Sequence, residues 1–162
     1  MMDIQTIGGI AIKGVKLLLN IAILVLYRVG CNGGFLGVGG TWNLNEDKTP
    51  DVEIVASGII VGFFIYTSVV LISYFFEALD GSKTVMEIIM NFIGMFMFIM
   101  VGGTALHYWI GYTGDNRYVD VSSEKTVGIV LGVLCIVEGL IYLADLVMTT
   151  MQYLKQEFYY DE

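Results

Sequence analysis

The stretch IVASGIIVGFFIYTSVVLISYFF, residues 54–76, decides the fold class of this chain. It contains no Asp, Glu, Lys or Arg, and it shows no polar stripe at helical spacing. A helix of about 20 apolar residues crosses the roughly 30 Å hydrocarbon core of a bilayer. Because lipid offers no hydrogen-bond partners to the backbone, a helix is the structure that such a segment adopts. The stretch therefore predicts a membrane-spanning helix.

Three further apolar runs of similar length lie on either side of this stretch, at about 7–27, 85–109 and 126–151. Together the four runs predict an all-α membrane protein, a single four-span domain over residues 1–162 that folds as a four-helix transmembrane bundle. An even number of spans places both termini on one side. The first loop, about 30–53, and the second, about 111–125, then share the opposite side.

The Lys and Arg residues do not settle the orientation, because they divide four against four between the two sides. A bias of these residues in short loops and flanks normally marks the cytoplasmic side. Lys13 and Lys16 belong to the first span, which often dominates, and they favour cytoplasmic termini weakly. The charge pattern alone leaves both orientations open.

The composition excludes several functional classes. The chain has 162 residues, of which 56% are hydrophobic and 15% charged, with a formal net charge of −8. The acidic balance excludes a basic nucleic-acid interface. Two cysteines, Cys31 in the first loop and Cys135 in an apolar run, give neither an internal disulfide framework nor a zinc motif, although an intermolecular Cys31 pair stays open. No catalytic set is recognisable, so we expect no enzymatic activity, cofactor or metal.

Charged side chains inside the spans are expensive in lipid and usually face the interior of a bundle. Lys13 and Lys16 share one face of the first helix, and Glu138 and Asp145 share one face of the fourth. Lys16 and Glu138 both fall near the midpoints of their spans, which predicts that they pair. We expect Lys13 near Asp145 or Glu87. Two asparagines lie on the faces of these charges, Asn20 and Asn91.

Two functional interpretations of the intramembrane charges remain. They could form an ion or proton path in a small transporter or channel subunit, built on Lys16, Glu87, Glu138 and Asp145. Alternatively, they could be buried pairs that fix helix register. The second interpretation is favoured, because one polar layer is thin for a transport path and the chain lacks the repeated, broken helices of many transporters.

Small residues mark candidate helix contacts. Gly58 and Gly62 form a GxxxG motif in the second span, and Gly128 and Gly132 form one in the fourth. This spacing lets two helix backbones approach closely. We expect packing within the chain rather than dimerisation. The segment ALHYWIGY, residues 105–112, is typical of an aromatic belt at the membrane surface.

The stretch GGFLGVGGTWNLNEDKTP, residues 33–50, dominates the first loop. One interpretation is a flexible connector anchored by a tryptophan. The other is a compact loop with glycine turns, which presents apolar contacts and an acidic rim, including Asp51 and Glu53, for protein recognition. The residues alone favour neither. The candidate contact residues are Phe35, Leu36, Gly37, Gly39, Gly40, Trp42, Glu46 and Asp47.

Three strings carry a family resemblance: LVLYRVG at 24–30, FLGVGGTWNLNEDKTPDVEIVASGIIVG at 35–62 and GGTALHYWIGY at 102–112. They resemble the snakeskin family, four-span membrane proteins of insect smooth septate junctions. The layout is also similar to claudins and MARVEL-type proteins, although a single cysteine in the first loop excludes the claudin loop disulfide.

The resemblance implies a non-enzymatic plasma-membrane protein of the lateral cell–cell junction, with cytoplasmic termini and a role in the epithelial paracellular barrier. It implies partners of two kinds, a mesh-like single-pass protein and a junctional tetraspanin, and it leaves self-association open. It also favours the first loop as the contact site over the flexible connector.

Overall fold

The computed structural model describes residues 4–30, 33–39, 51–76, 81–111 and 122–160, and these residues form four helices. Helix α1 spans Ile4–Val29, α2 spans Asp51–Phe75, α3 spans Gly81–Gly111 and α4 spans Ser122–Tyr160. All four are long and apolar enough to cross a membrane. The predicted all-α, four-helix membrane fold is confirmed, whereas the cytoplasmic position of the termini stays a prediction.

The helices pack as a ring in chain order. Helices α3 and α4 have the most extensive contact, α1 packs against both α2 and α4, and the contact between α2 and α3 is the smallest. We call the end where α1 stops and α2 begins the loop end, and the opposite end the terminal end. The described first-loop residues 33–39 lie at the loop end.

Each helix turns one stripe of residues inward, at alternating spacings of three and four. On α2 this stripe consists of Glu53, Ala56, Ile60, Phe63 and Thr67, all of which are buried. Such spacing keeps a single helical face towards the interior. The opposite face of α2 exposes large apolar side chains, which lipid tolerates and water does not. The exposed members include Ile54, Ile65, Val69 and Ile72.

Glycines make the close contact between α3 and α4. A Cβ atom on Gly102 would lie 2.7 Å from the carbonyl oxygen of Gly132, and one on Gly132 would lie 2.8 Å from Leu106 Cγ. A Cβ on Gly128 would overlap the indole of Trp109. Trp109 is 1% exposed and packs inside the bundle, and its place in an aromatic belt at the membrane surface stays a prediction.

The other GxxxG motif is not part of any contact in the described chain. Gly58 and Gly62 lie on the exposed face of α2, and a Cβ on either would meet no described atom within 4 Å. The intrachain packing that we predicted for this pair is therefore wrong. The same spacing serves one helix and not the other, because the rotation of each helix about its axis decides which face meets a neighbour.

An aromatic layer joins α2, α3 and α4 near the middle of the bundle. The ring of Tyr142 stacks on Phe98, with centroids 5.5 Å apart, and meets Phe63 edge-on at 5.3 Å. The Tyr142 hydroxyl shares a hydrogen bond of 2.8 Å with Thr67. Gly94 leaves room for these rings, since a Cβ there would lie 2.7 Å from Tyr142. This layer supports the polar residues on its terminal side.

Candidate functional site

The first loop begins where Gly30 ends α1. Gly30 has a φ of 57°, and its N–H donates to the carbonyl of Leu26 at 3.0 Å. A left-handed glycine after the last helical residue is a common helix stop. The chain then turns back, and the N–H groups of Leu36 and Gly37 both donate to the Tyr27 carbonyl at 3.3 Å. Residues 33–39 therefore fold over the loop end of α1.

One carboxylate holds this folded segment in place. The carboxylate of Glu53 accepts hydrogen bonds from the N–H groups of Val38, at 2.9 Å, and Gly39, at 2.7 Å. The Tyr27 hydroxyl donates to the same carboxylate and to the Glu53 carbonyl, at 3.0 Å in each case. Glu53 is only 4% exposed. We call Tyr27, Gly37, Val38, Gly39 and Glu53 the loop clasp.

Gly37 is required by the clasp for two reasons. Its φ of 67° lies in the left-handed region, which a residue with a side chain rarely adopts. A Cβ at this position would also lie 2.6 Å from a carboxylate oxygen of Glu53. Gly33 shares the positive φ, at 78°, but a Cβ there would meet nothing within 4 Å. A substitution at Gly33 would therefore cause backbone strain alone, whereas one at Gly37 would cause backbone strain and a collision with Glu53.

The predicted contact residues fall into three groups. Phe35 is half-buried, with its ring edge-on to Tyr27 at 5.1 Å and the Arg28 guanidinium 5.7 Å from its centroid. Leu36 is only 3% exposed, so its predicted role as an exposed contact is wrong, and Gly37 and Gly39 are buried with it. The remaining predicted contacts lie outside the described residues: Gly40, Trp42, Glu46 and Asp47.

Glu53 also corrects an expectation, because we predicted it in an acidic rim and it is buried instead. It occupies the first turn of α2, at the start of the inward stripe that continues through Ala56 and Ile60. Extending the helical spacing of that stripe backwards by three residues would have placed Glu53 on the buried face. The prediction failed because it began the helix at Ile54.

A cavity of about 880 Å³ opens beside the clasp, between the loop ends of α1 and α2. Its wall combines apolar side chains with one exposed cation, Arg28. Such a mixed concave surface suits a side chain or small segment of a partner. The described lining residues are Tyr27, Arg28, Phe35, Glu53, Ile54, Ser57 and Gly58.

A second candidate site is the buried polar layer, which we define as Lys13, Lys16, Glu87, Asn91 and Asp145. The Lys16 ammonium contacts Asp145 at 2.5 Å and donates to the Asn91 carbonyl oxygen at 2.9 Å. The Lys13 ammonium lies 3.3 Å from Glu87 and 3.4 Å from Asp145. The charged side chains of this layer are at most 5% exposed, so the layer ties α1 to α3 and α4 away from water.

The pairing within the layer differs from the prediction at one position. Lys13 lies beside both of its predicted partners, but Lys16 binds Asp145 rather than Glu138. The prediction matched the midpoints of the two spans. Helix α4 is 39 residues long and α1 only 26, so their midpoints need not meet at the same depth. Helix length and axial shift therefore decided the partner of Lys16.

Aromatic and hydroxyl groups complete the layer. The Lys16 ammonium lies 4.1 Å from the centroid of Tyr142, and the Lys13 ammonium 4.9 Å from that of Tyr74. The Thr149 hydroxyl reaches Asp145 at 3.4 Å. Cation–π contacts gain strength where water is excluded. The layer therefore pairs each ammonium with a carboxylate, which is consistent with a role in fixing the positions of the helices, although Glu87 Oε1 and Asn91 Nδ2 have no hydrogen-bond partner among the described residues.

Glu138 and Asn20 stand apart from this layer. Both are 0% exposed. Within the described chain, neither carboxylate oxygen of Glu138 and neither polar atom of the Asn20 amide has a hydrogen-bond partner. Lys16 still attracts Glu138 electrostatically, but its ammonium is bound elsewhere. Among the described residues, no cluster of three or more His, Cys, Asp or Glu side chains could hold a metal ion.

Comparison with known proteins gives full-length matches. The chain is 51% identical over 156 residues to Protein snakeskin of Bombyx mori, which covers 96% of this chain and 99% of that protein. It is 48% identical over 162 residues to Protein snakeskin of Drosophila melanogaster, over the whole of both chains. No protein-family model and no solved structure matches the chain.

Proposed function

The chain belongs to the snakeskin family, and on that premise we propose that it is a structural, non-enzymatic component of the smooth septate junction. In this role it is needed for assembly of the lateral cell–cell junction and for the epithelial paracellular barrier. The observation that carries the proposal is the likeness to the snakeskin proteins along the entire chain. The four apolar helices support the membrane location.

The loop clasp supports a recognition role for the first loop. Residues 33–39 are tied to α1 through Tyr27 and to α2 through Glu53, so this part of the loop presents one fixed surface. A surface that is already ordered loses less conformational entropy when a partner binds. The half-buried ring of Phe35 and the adjacent cavity supply an apolar anchor point with a cation at its edge.

We propose that the partners are other junction membrane proteins, namely a mesh-like single-pass protein and a junctional tetraspanin. The first loop then faces the extracellular side and both termini are cytoplasmic. Contact through the loop end can occur beside the chain in the same membrane or across the intercellular gap. The lipid bilayer covers the exposed apolar faces of the helices.

The test replaces Gly37 by Val in a tagged chain expressed in insect midgut epithelial cells. The added side chain collides with Glu53 and opens the clasp. We expect the variant to lose co-purification of the junction proteins and to spread away from the lateral junction. Gly33→Ala is the matched control, because it changes a positive-φ glycine of the same loop in open space. It should keep both properties.

Both variants must elute as single species of the same size in detergent, so that misfolding is not mistaken for lost recognition. If Gly37→Val retains its partners and its lateral position while the clasp is open, the loop is not the contact. If the wild-type chain itself shows no enrichment at lateral junctions, the junction role is excluded.

The second candidate function is a small ion or proton transporter or channel subunit that uses Lys16, Glu87, Glu138 and Asp145. The observation that favours it is the unpartnered carboxylate of Glu138 in the interior of the bundle. Purified protein in liposomes should then carry a proton or ion flux that Glu138→Gln abolishes. Absence of flux in the wild-type chain eliminates this candidate and leaves the structural role.

A further inference from the structure

The interior of the bundle contains an unbalanced set of ionisable groups. Five of these side chains are at most 4% exposed: Lys13, Lys16, Glu87, Glu138 and Asp145. If all were ionised, two positive charges would face three negative ones. An isolated carboxylate in a medium of low polarity is so unfavourable that the group is normally neutralised. One carboxyl group of the set therefore requires an additional positive charge.

The contacts identify which carboxyl group that is. Asp145 is bound by both lysines, and Glu87 lies 3.3 Å from the Lys13 ammonium. Glu138 accepts no hydrogen bond and forms no ion pair with any described residue. Lys16, the charge that faces it from α1, is committed to Asp145 and Asn91. A carboxylate whose nearest cation is already bound is the member of the set that needs a proton.

Among the described residues around Glu138, no cation other than Lys16 acts on the carboxylate. On α4, the neighbouring turns present Cys135 and Tyr142, both fully buried, and the thiol is free. The Tyr142 hydroxyl is bound to Thr67 of α2. On α3, Asn91 binds Lys16 through its carbonyl oxygen, and its uncharged amide nitrogen has no hydrogen-bond partner among the described residues. No described group on α2 or α3 therefore neutralises the Glu138 carboxylate.

Helical register places Asn20 at nearly the same depth as Glu138, although no hydrogen bond joins the two side chains in the structure. Lys16 touches Asp145, which fixes the relative height of α1 and α4. Asn20 is four residues beyond Lys16 and Glu138 is seven residues before Asp145, so in antiparallel helices both lie towards the loop end. At 1.5 Å per residue their axial offset is only about 4.5 Å. Both residues also stay on the faces that bring Lys16 and Asp145 together.

We propose that Glu138 binds a proton within the bundle and that the resulting carboxylic acid pairs with the Asn20 amide once the two side chains turn towards each other. The acid O–H donates to the amide carbonyl, and the amide N–H donates to the acid carbonyl. A carboxylic acid offers one donor and one acceptor, which matches an amide group, whereas a carboxylate offers acceptors only. The proton comes from water, and this neutral pair joins α1 to α4 without adding charge.

The decisive test is infrared difference spectroscopy of the whole chain in an ester-free maltoside detergent at neutral pH. A buried carboxylic acid gives a carbonyl stretching band that shifts to lower frequency in D₂O. We expect this band in the wild-type chain and its loss in Glu138→Gln. A wild-type spectrum without the band overturns the proposal. A band that survives unchanged in Glu138→Gln overturns it as well.

A second measurement uses thermal unfolding in the same detergent. Glutamine has the shape of the neutral acid, so Glu138→Gln should keep the unfolding temperature within about 2 °C of wild type. Asp145→Asn is the matched control, because it removes one charge from the same helix where that charge is paired. It should lower the unfolding temperature by about 10 °C. Equal losses in the two variants show that Glu138 is ionised and contradict the proposal.

Sodium and potassium titrations show whether a proton or a metal cation neutralises the Glu138 carboxylate. With a proton on Glu138, replacing all sodium and potassium by choline at constant ionic strength leaves the unfolding temperature unchanged. Stabilisation by either metal ion that disappears in Glu138→Gln shows that a metal cation neutralises the site, and the proton is then excluded. These outcomes do not depend on the junction role, which is tested through partner binding and localisation.

Discussion

Two buried glutamates, Glu53 and Glu138, occupy opposite environments. Their exposed fractions are 4% and 0%, so both are removed from water. The Glu53 carboxylate accepts hydrogen bonds from two backbone N–H groups and a tyrosine hydroxyl. The Glu138 carboxylate accepts none from the described residues. Burial alone therefore does not define the role of an acid; the donors around it do.

The two environments suit different roles: Glu53 holds the loop as a carboxylate, and Glu138 is proposed to be a neutral acid. Charge-assisted hydrogen bonds from fixed donors compensate the lost hydration of Glu53, and the start of α2 adds the favourable end of the helix dipole. Glu138 has no such donors among the described residues, and the ammonium of Lys16 binds Asp145 instead. The loop end thus uses an ionised side chain to hold a segment, while the membrane interior tolerates only charges that balance one another.

The largest expected effect is at Asp145, the charge on which the balance of the polar layer rests. Asp145→Asn leaves Lys13 and Lys16 with only Glu87 as an ionised partner, and we expect a loss of about 3–5 kcal/mol in unfolding free energy. Denaturant unfolding in detergent measures it. Thr149→Val removes a weaker contact to the same aspartate and should cost about 1 kcal/mol. Equal losses would mean that the ion pairs contribute little.

The next effect is at Glu53. Glu53→Leu leaves the N–H groups of Val38 and Gly39 without their acceptor, and each buried unsatisfied donor costs about 1–3 kcal/mol. We expect faster amide hydrogen exchange in residues 33–39, which mass spectrometry of this segment detects. Asp51→Ala is the control, because Asp51 is an exposed acid in the same turn of α2. An identical exchange profile in both variants would contradict the clasp.

A smaller contrast distinguishes Gly37 from Gly33. Alanine at either position places a side chain in left-handed backbone, at a cost of about 1–2 kcal/mol. Gly37→Ala also pushes against the Glu53 carboxylate, so its loss should be roughly twice as large and should come with faster exchange in residues 33–39. Equal unfolding free energies and equal exchange would show that backbone strain, rather than the clasp, determines both.

The smallest effect is at Tyr27. Tyr27→Phe removes the hydroxyl that donates to Glu53 but keeps the aromatic contact with Phe35. Because Val38 and Gly39 still bind the carboxylate, we expect a loss of only about 1 kcal/mol. Unfolding in detergent, compared with Glu53→Leu, measures the difference. A loss as large as that of Glu53→Leu would make the tyrosine, not the backbone donors, the main partner of the carboxylate.

Sequence patterns within single segments predicted the fold class and the buried charged residues of the polar layer. Apolar runs of membrane length gave the four helices, and helical spacing identified the charged residues that share faces. The failed pairing of Lys16 and the failed packing of Gly58 and Gly62 depended on how one helix is placed against another, whereas the prediction for Glu53 failed because the helix was begun at Ile54. Gly58 and Gly62 carry the same motif as Gly128 and Gly132, yet only the second pair meets a neighbouring helix.

The sequence by itself determined the four membrane helices, because hydrophobicity over about 20 residues is a property of each segment alone. It also determined that a few charges must be buried together. Only the tertiary structure decided that Lys16 binds Asp145, that Glu138 has no hydrogen-bond partner among the described residues, and that the N–H groups of Val38 and Gly39 meet the Glu53 carboxylate. These outcomes depend on the axial shift and rotation of whole helices, which are set jointly by contacts among all four.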